Sequence, residues 1–231
     1  CSSVRQLSAC LMTLGGAYLG GGVMAFEAAR HWSWSVNHTP LIFTWAFSAL
    51  EAGLLVLHRQ VLHFDTGFGI AYTIALAIST VATIVSIADW ARVRPRIAPA
   101  GAPTPGWARS LNAAFVLGLA AFALPLLIGS ARGGTIWPGE LTLLTARCFG
   151  VFLLALALSI APLVFSRGMA PVLAEMRPGL VMAALIVLAA IVFIGDFNFA
   201  ARPLGVVYML GCLAALGGAG ALVALPSLEI F

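Results

Sequence analysis

Long apolar runs are the feature that most restricts how this chain can fold. A helical run of about 20 apolar residues matches the thickness of the lipid hydrocarbon core, whereas the strands of a membrane β-barrel alternate over about 10 residues. The chain is 61% hydrophobic and only 9% charged. We therefore predict an all-α, polytopic transmembrane helix bundle of about seven helices, at approximately 7–29, 40–58, 67–90, 110–131, 139–165, 178–198 and 204–226.

One connection between the predicted helices has a distinct composition. Residues 91–109 contain several prolines and arginines, and proline both lacks a backbone N–H and clashes with the preceding helical turn. We predict a cytoplasmic loop here. We interpret it as a hinge within a single transmembrane domain over 1–231, between a three-helix front (1–90) and a four-helix back (110–231).

The distribution of arginine predicts the orientation in the membrane. All twelve basic residues are arginine. One predicted face carries Arg30, Arg92, Arg94, Arg96, Arg109, Arg167 and Arg177. The opposite face carries Arg5, Arg59, Arg132 and Arg202. Cytoplasmic loops are enriched in basic residues, so we predict the N-terminus outside and the C-terminus inside. Richness in Ala, Gly and Arg favours a bacterial plasma (inner) membrane.

Several function classes are disfavoured by what the sequence lacks. Without lysine there is no Schiff-base chemistry, which excludes a retinal protein. No phosphate-binding glycine loop, nucleophile elbow or zinc-protease helix occurs. The four cysteines are scattered singly, without metal or redox spacing. They are Cys1, Cys10, Cys148 and Cys212. Because the sequence starts at cysteine rather than Met, we expect a truncated chain rather than a processed or acylated terminus. We predict no catalytic residues and no nucleic-acid partner, and we favour a non-enzymatic role over an enzymatic one.

Charged residues inside predicted helices mark the candidate site. A guanidinium at the centre of a membrane helix costs about 2.5–3.5 kcal/mol and requires a partner or water. From the helical rise, Arg147 lies roughly 12 Å, and Glu51 about 10 Å, below the same outer face. We predict a ligand-binding pocket open to that face, in which Arg147 pairs with Glu51, Asp196 or Glu140, with Asn198 at the rim. The alternative is a buried ion pair that only fixes helix register.

The histidines offer a second, weaker candidate. His58, His63 and Asp65 lie just outside the second helix and are candidates for a metal site or proton relay. Five-residue spacing does not stack two rings on one helix face, so an interfacial anchor is the default interpretation. Haem between helices needs two facing imidazoles at one depth, whereas His31 and His38 belong to the other face. We predict no cofactor, with haem as the disfavoured exception.

Small residues predict close helix packing. Gly16 and Gly20 form a G-x-x-x-G pattern in the first helix, and Gly211 and Gly218 belong to a similar face of the last. Such faces let helices approach closely in lipid. We predict packing of these helices on each other, or contact with a second copy. The tryptophans of the predicted interfacial loop 30–40 are typical of membrane-belt residues, so the lipid bilayer is the first predicted partner.

One stretch resembles a known pattern. It consists of Trp137-Pro138, Leu141-Thr142, Leu144-Thr145-Ala146-Arg147 and Gly150. This stretch resembles an uncharacterised family of bacterial multi-pass membrane proteins in which W-P-x-x-L-T-x-L-T-A-R opens a helix. The front half is similar too, at Pro40, Gly53, Leu57-His58 and Phe64. The resemblance covers the middle of the chain and implies a multi-pass membrane protein, but no known activity.

These patterns leave three hypotheses for function. The first is a non-catalytic bundle that binds or moves a small solute, ion or proton through the polar pocket. The second is a structural or accessory subunit of a larger membrane protein complex, with other subunits as partners. A membrane-embedded redox or lipid-modifying enzyme is the third. The absence of soluble-type catalytic motifs favours the first two.

Overall fold

The chain folds into a bundle of long helices. The computed structural model describes residues 2–60, 65–129, 141–197, 199–200 and 203–228. Their α-helices are α1 (Ser2–Arg30), α2 (Trp34–Leu57), α3 (Gly67–Val93), α4 (Gly106–Ile128), α5 (Leu143–Ile160), α6 (Met169–Val192) and α7 (Leu204–Leu228). The described residues contain no β-strand. The predicted all-α architecture is confirmed, and the helix count agrees with about seven.

The composition of these helices fits a multi-pass membrane protein. Six of them, α2 to α7, are long and apolar enough to cross a membrane. The ends of α2, α4 and α6 and the starts of α3, α5 and α7 share one face, which we call the outer face after the predicted orientation. The opposite face, with the α1–α2, α3–α4 and α5–α6 connections, is called the inner face.

The two helices that we predict to start at a proline begin six and nine residues earlier. α2 begins at Trp34 rather than 40, and α6 at Met169 rather than 178. The prolines at which we predict the starts, Pro40 and Pro178, lie inside the helices and are buried. The turns before them also contain buried residues, and this burial offsets the helix-breaking tendency of proline. The interfacial loop predicted over 30–40 is correspondingly short, with residues 31–33 between the helices.

α5 and α6 form the centre of the bundle. α4 and α2 pack on α5, while α1 and α7 pack on α6. α3 packs mainly against α2 and remains largely exposed, as expected for a helix at the lipid boundary. The predicted front and back therefore share extensive interfaces, since α1 contacts α6 and α2 contacts α5.

The glycine faces are used inside the chain. On α1, Gly16 and Gly20 approach α6, where a Cβ placed on Gly20 would lie 2.5 Å from the Cβ of Met182. On α7, Gly211 and Gly218 approach phenylalanine rings of α4. The two small-residue faces thus contact different helices rather than each other.

The Pro- and Arg-rich connection is attached to the neighbouring loop of the inner face. Three backbone hydrogen bonds join it to the α5–α6 connection and to the first residues of α6. They run from Thr104 N–H to Arg167 O (3.2 Å), from Met169 N–H to Ala102 O (2.8 Å) and from Ala170 N–H to Ala100 O (3.0 Å). These hydrogen bonds therefore hold the predicted hinge against the start of α6.

Candidate functional site

The side chain of Arg147 forms a hydrogen bond with a histidine. Its Nη1 lies 2.9 Å from Nε2 of His58, the residue that caps the end of α2. α5 begins at Leu143, so Arg147 lies about 6 Å from the start of the helix rather than 12 Å. A guanidinium has donors only, so Nε2 must accept and the imidazole is neutral, with its hydrogen on Nδ1. This contact ties the outer ends of α2 and α5 together.

Glu51 has a different partner from the one predicted. The hydroxyl of Tyr72 on α3 donates to its Oε1 at 2.6 Å. Tyr18 of α1 and Cys148 of α5 lie close enough to interact with it electrostatically. Within the described ranges the one ion pair is Arg92 with Asp89, at 3.3 Å. The direct Arg147–Glu51 ion pair that we predict is thus absent there, because each side chain bonds to a neutral group.

The other predicted site residues contribute less to the described structure. Glu140, His63 and Asn198 lie outside the described residues, as does the side chain of Asp196. Asp65 is exposed just before α3. No group of three or more metal-ligating side chains occurs in the part of the chain that was searched.

A buried carboxyl that we do not predict lies near the inner face. Glu175 is only 2% exposed and lies about 9 Å along α6 from Met169. Its Oε1 is 2.6 Å from the hydroxyl of Ser159 on α5, which also lies 2.9 Å from the carbonyl oxygen of Leu156. The hydroxyl of Ser159 is therefore within donor distance of both the carboxyl and the helix backbone.

The second oxygen of Glu175 has an unmet hydrogen-bonding capacity. Its Oε2 is buried without a hydrogen-bond partner. The hydroxyl of Thr39 on α2 is buried too, and it lies close enough to act as a hydrogen-bond donor to the carboxyl. Buried polar atoms in proteins are usually paired, and an exception calls for an explanation. A bound molecule with a donor group would supply one.

The sequence contained a signal that would have revealed Glu175. By starting the sixth helix at Pro178, the prediction leaves Glu175 in a loop. The preceding apolar residues, however, follow the i, i+3, i+4, i+7 spacing of a helix face. They are Met169, Val172, Leu173 and Met176. Extending the helix through them places the carboxyl inside the bundle.

Glu175 lines an apolar cavity. The cavity has a volume of about 340 Å³ and lies among α4, α5, α6 and α7. Phenylalanine, leucine and alanine side chains form most of its wall, and Gly118, Gly179 and Gly211 widen it. Tyr208 and Cys212 add two weakly polar groups. Among its described lining residues Glu175 is the one carboxyl.

The Arg147–His58 contact should be measurable as a stability effect. We expect His58→Leu to lower the free energy of unfolding by about 1.5 kcal/mol, because the guanidinium loses an acceptor. His58→Gln should retain most of the stability, since its side-chain oxygen accepts a hydrogen bond. Chemical unfolding in detergent would measure both, with Arg59→Leu as the exposed neighbouring control. Equal stability of the His58→Leu and Arg59→Leu variants would contradict this role.

The distinctive features of the described structure are an apolar cavity with a buried carboxyl near the inner face and a hydrogen-bonded polar cluster near the outer face. Comparisons with known protein families, with curated proteins and with solved structures find no match for this chain.

Proposed function

We propose that this integral membrane protein binds a small, largely apolar molecule in the cavity at Glu175. The ligand carries one hydrogen-bond donor or cationic group, which contacts the carboxyl. One observation supports this most: Glu175, a buried carboxyl, lines an otherwise apolar cavity. We place the protein in a bacterial inner membrane, with the outer face away from the cytoplasm.

The energetics favour an amphipathic ligand. A buried polar atom without a partner costs about 1–3 kcal/mol, which a donor group on the ligand would recover. The apolar walls add about 25 cal/mol for each Å² of apolar ligand surface that leaves water. At about 340 Å³ the cavity is within the size range of small-molecule sites, roughly 300–1,000 Å³. A hydrated anion fits poorly, because the wall offers it a carboxyl and apolar carbon.

The helix arrangement favours entry from the lipid. α7 packs extensively on α6 but only weakly on α4, whereas α4 packs extensively on α5. The boundary between α4 and α7 is therefore a weak side of the cavity. A ligand that partitions into the bilayer would pass there without crossing water, which suits an apolar molecule.

An accessory subunit is the second candidate function, and α3 favours it. This helix packs mainly on α2 and exposes a broad apolar surface. Its exposed residues include Ile70, Ile74, Ile78, Val81, Ile84 and Val85. Lipid covers such a surface by default, but so would a helix of a partner subunit. A stoichiometric partner chain that co-purifies in mild detergent would support the accessory role.

Matched single-chain amphiphiles test the cavity. The protein in lipid nanodiscs would be titrated with decylamine, decanol and decanoate, and native mass spectrometry would measure the bound fraction. We expect the amine and the alcohol to bind more tightly than the carboxylate. Glu175→Gln should weaken amine binding at least tenfold, which corresponds to about 1.4 kcal/mol.

The control for this experiment is Glu27→Gln, which removes an exposed acid of α1. It should bind all three probes like the wild-type protein. Equal binding of the three amphiphiles to the wild-type protein would contradict the proposal. So would a Glu175→Gln variant that is helical, elutes normally and still prefers the amine.

A further inference from the structure

A second buried carboxyl lies in the other half of the bundle. Glu51 is 4% exposed and lies about 9 Å from the outer end of α2. Tyr72 donates to its Oε1 at 2.6 Å, while Oε2 is buried without a hydrogen-bond partner. The hydrogen bond from Tyr72 therefore fixes Oε1, whereas Oε2 is available to bind a small group or ion.

Neutral groups surround this carboxyl. α1 contributes Tyr18, α3 contributes Tyr72 and α5 contributes Cys148. The nearest arginine along α5, Arg147, bonds to His58 instead. A buried carboxylate without a counter-cation costs several kcal/mol in lost hydration. Binding a proton removes that cost, and a proton is smaller than any other cation.

We propose that Glu51 is an intramembrane proton-binding site in the outer half of the bundle. In the resting protein Oε2 carries the proton, and Oε1 accepts the hydrogen bond from Tyr72. Proton binding forms an O–H bond at Oε2 and breaks one in a hydronium ion, which leaves water. Release reverses these steps. The proposal is independent of ligand binding at Glu175.

An aromatic layer separates this site from the inner half. The rings of Phe43 and Phe47 stack with their centroids 5.6 Å apart, and Phe152 meets them edge-on at 6.0 and 6.2 Å. Phe43 and Phe47 precede Glu51 on α2, on its inner side. This apolar layer disfavours water between the two carboxyls, so Glu51 exchanges its proton with the outer face.

Between Glu51 and the outer face, the polar side chain of His58 lies on the same helix. His58 follows Glu51 by seven residues, or two helical turns, so both occupy the same face of α2 about 10 Å apart. Its imidazole is partly exposed, and its ring nitrogens can form hydrogen bonds with water. Water between the two would complete the connection.

Infrared spectroscopy tests the protonation of Glu51 directly. A protonated carboxyl gives a C=O stretching band that a carboxylate lacks. Each buried carboxyl that is protonated contributes its own component to this band. We expect the wild-type protein at pH 7 to show a component that Glu51→Gln loses and Glu175→Gln retains. Transfer to D₂O should shift the band to lower frequency as the O–H exchanges.

A second variant keeps the test informative if Glu51→Gln does not fold. Tyr72→Phe removes the donor to Oε1 and should shift the band to higher frequency without abolishing it. Identical wild-type and Glu51→Gln spectra at pH 7 would overturn the proposal. A band that does not shift in D₂O would overturn the exchange with water. Because Glu175→Gln is measured separately, a failure here leaves the ligand site untouched, and the reverse also holds.

Discussion

Replacing Gly20 with leucine should cause one of the largest losses of stability available in this chain. A Cβ at this position would lie 2.5 Å from the Cβ and 3.2 Å from the Cα of Met182. Backbone atoms cannot move aside like the end of a side chain, so α1 and α6 must separate. We expect a loss of about 3 kcal/mol or more in the free energy of unfolding, at the upper end of overpacking costs.

The matched control is Gly22→Leu, because a Cβ there meets nothing within 4 Å. Both substitutions add the same apolar side chain to the same helix, so their effects on helix propensity and hydropathy are equal. Thermal unfolding in detergent, followed by circular dichroism, would compare them. Equal melting temperatures would show that α1 does not pack on α6 as described.

Gly168→Val should release the two inner loops from each other. A Cβ at Gly168 would lie 2.2 Å from the carbonyl oxygen and 2.4 Å from the backbone nitrogen of Ala100. The hydrogen bonds between the 94–105 connection and the start of α6 cannot then persist. We expect a local loss of about 3 kcal/mol, which should increase cleavage after Arg96 by trypsin about a hundredfold.

The comparison variant is Gly106→Val at the start of α4, where a Cβ has open space within 4 Å. It should be cleaved at the wild-type rate. Mass spectrometry of the fragments would separate cleavage after Arg96 from cleavage elsewhere. If Gly168→Val is cleaved no faster than Gly106→Val, the loop contact contributes no protection.

The hydropathy of the sequence was sufficient to predict the helices. The assumption that a helix starts at a proline, however, misplaced the starts of α2 and α6. α3 begins at Gly67, as predicted, since little burial modifies its hydropathy signal. α6 begins nine residues before its predicted start at 178, at Met169, because core packing of its first turns outweighs the effect of Pro178. That boundary error left Glu175, the carboxyl of the cavity, in a predicted loop, so it was not among the candidate residues.

Partners across helices could not be predicted from the sequence. Matching depth suggested Glu51 for Arg147, but the estimate assumed that the fifth helix begins near 139, whereas Thr142 caps it and accepts from Thr145 N–H at 3.2 Å. This start raises Arg147 to the level of His58. Helix rotation and register then decide the pairing, and both depend on contacts between distant segments.

Polar contacts connect α3 to α2, and they affect how these two helices are inserted into the membrane. Among the described residues, side-chain hydrogen bonds join Trp45 to Ser86 (3.0 Å), Ser48 to Ser79 (2.6 Å) and Tyr72 to Glu51 (2.6 Å). Inserted alone, α2 would face lipid with these groups unsatisfied, which is costly in hydrocarbon. We therefore expect the translocon to release α2 and α3 into the bilayer together, as a preformed hairpin.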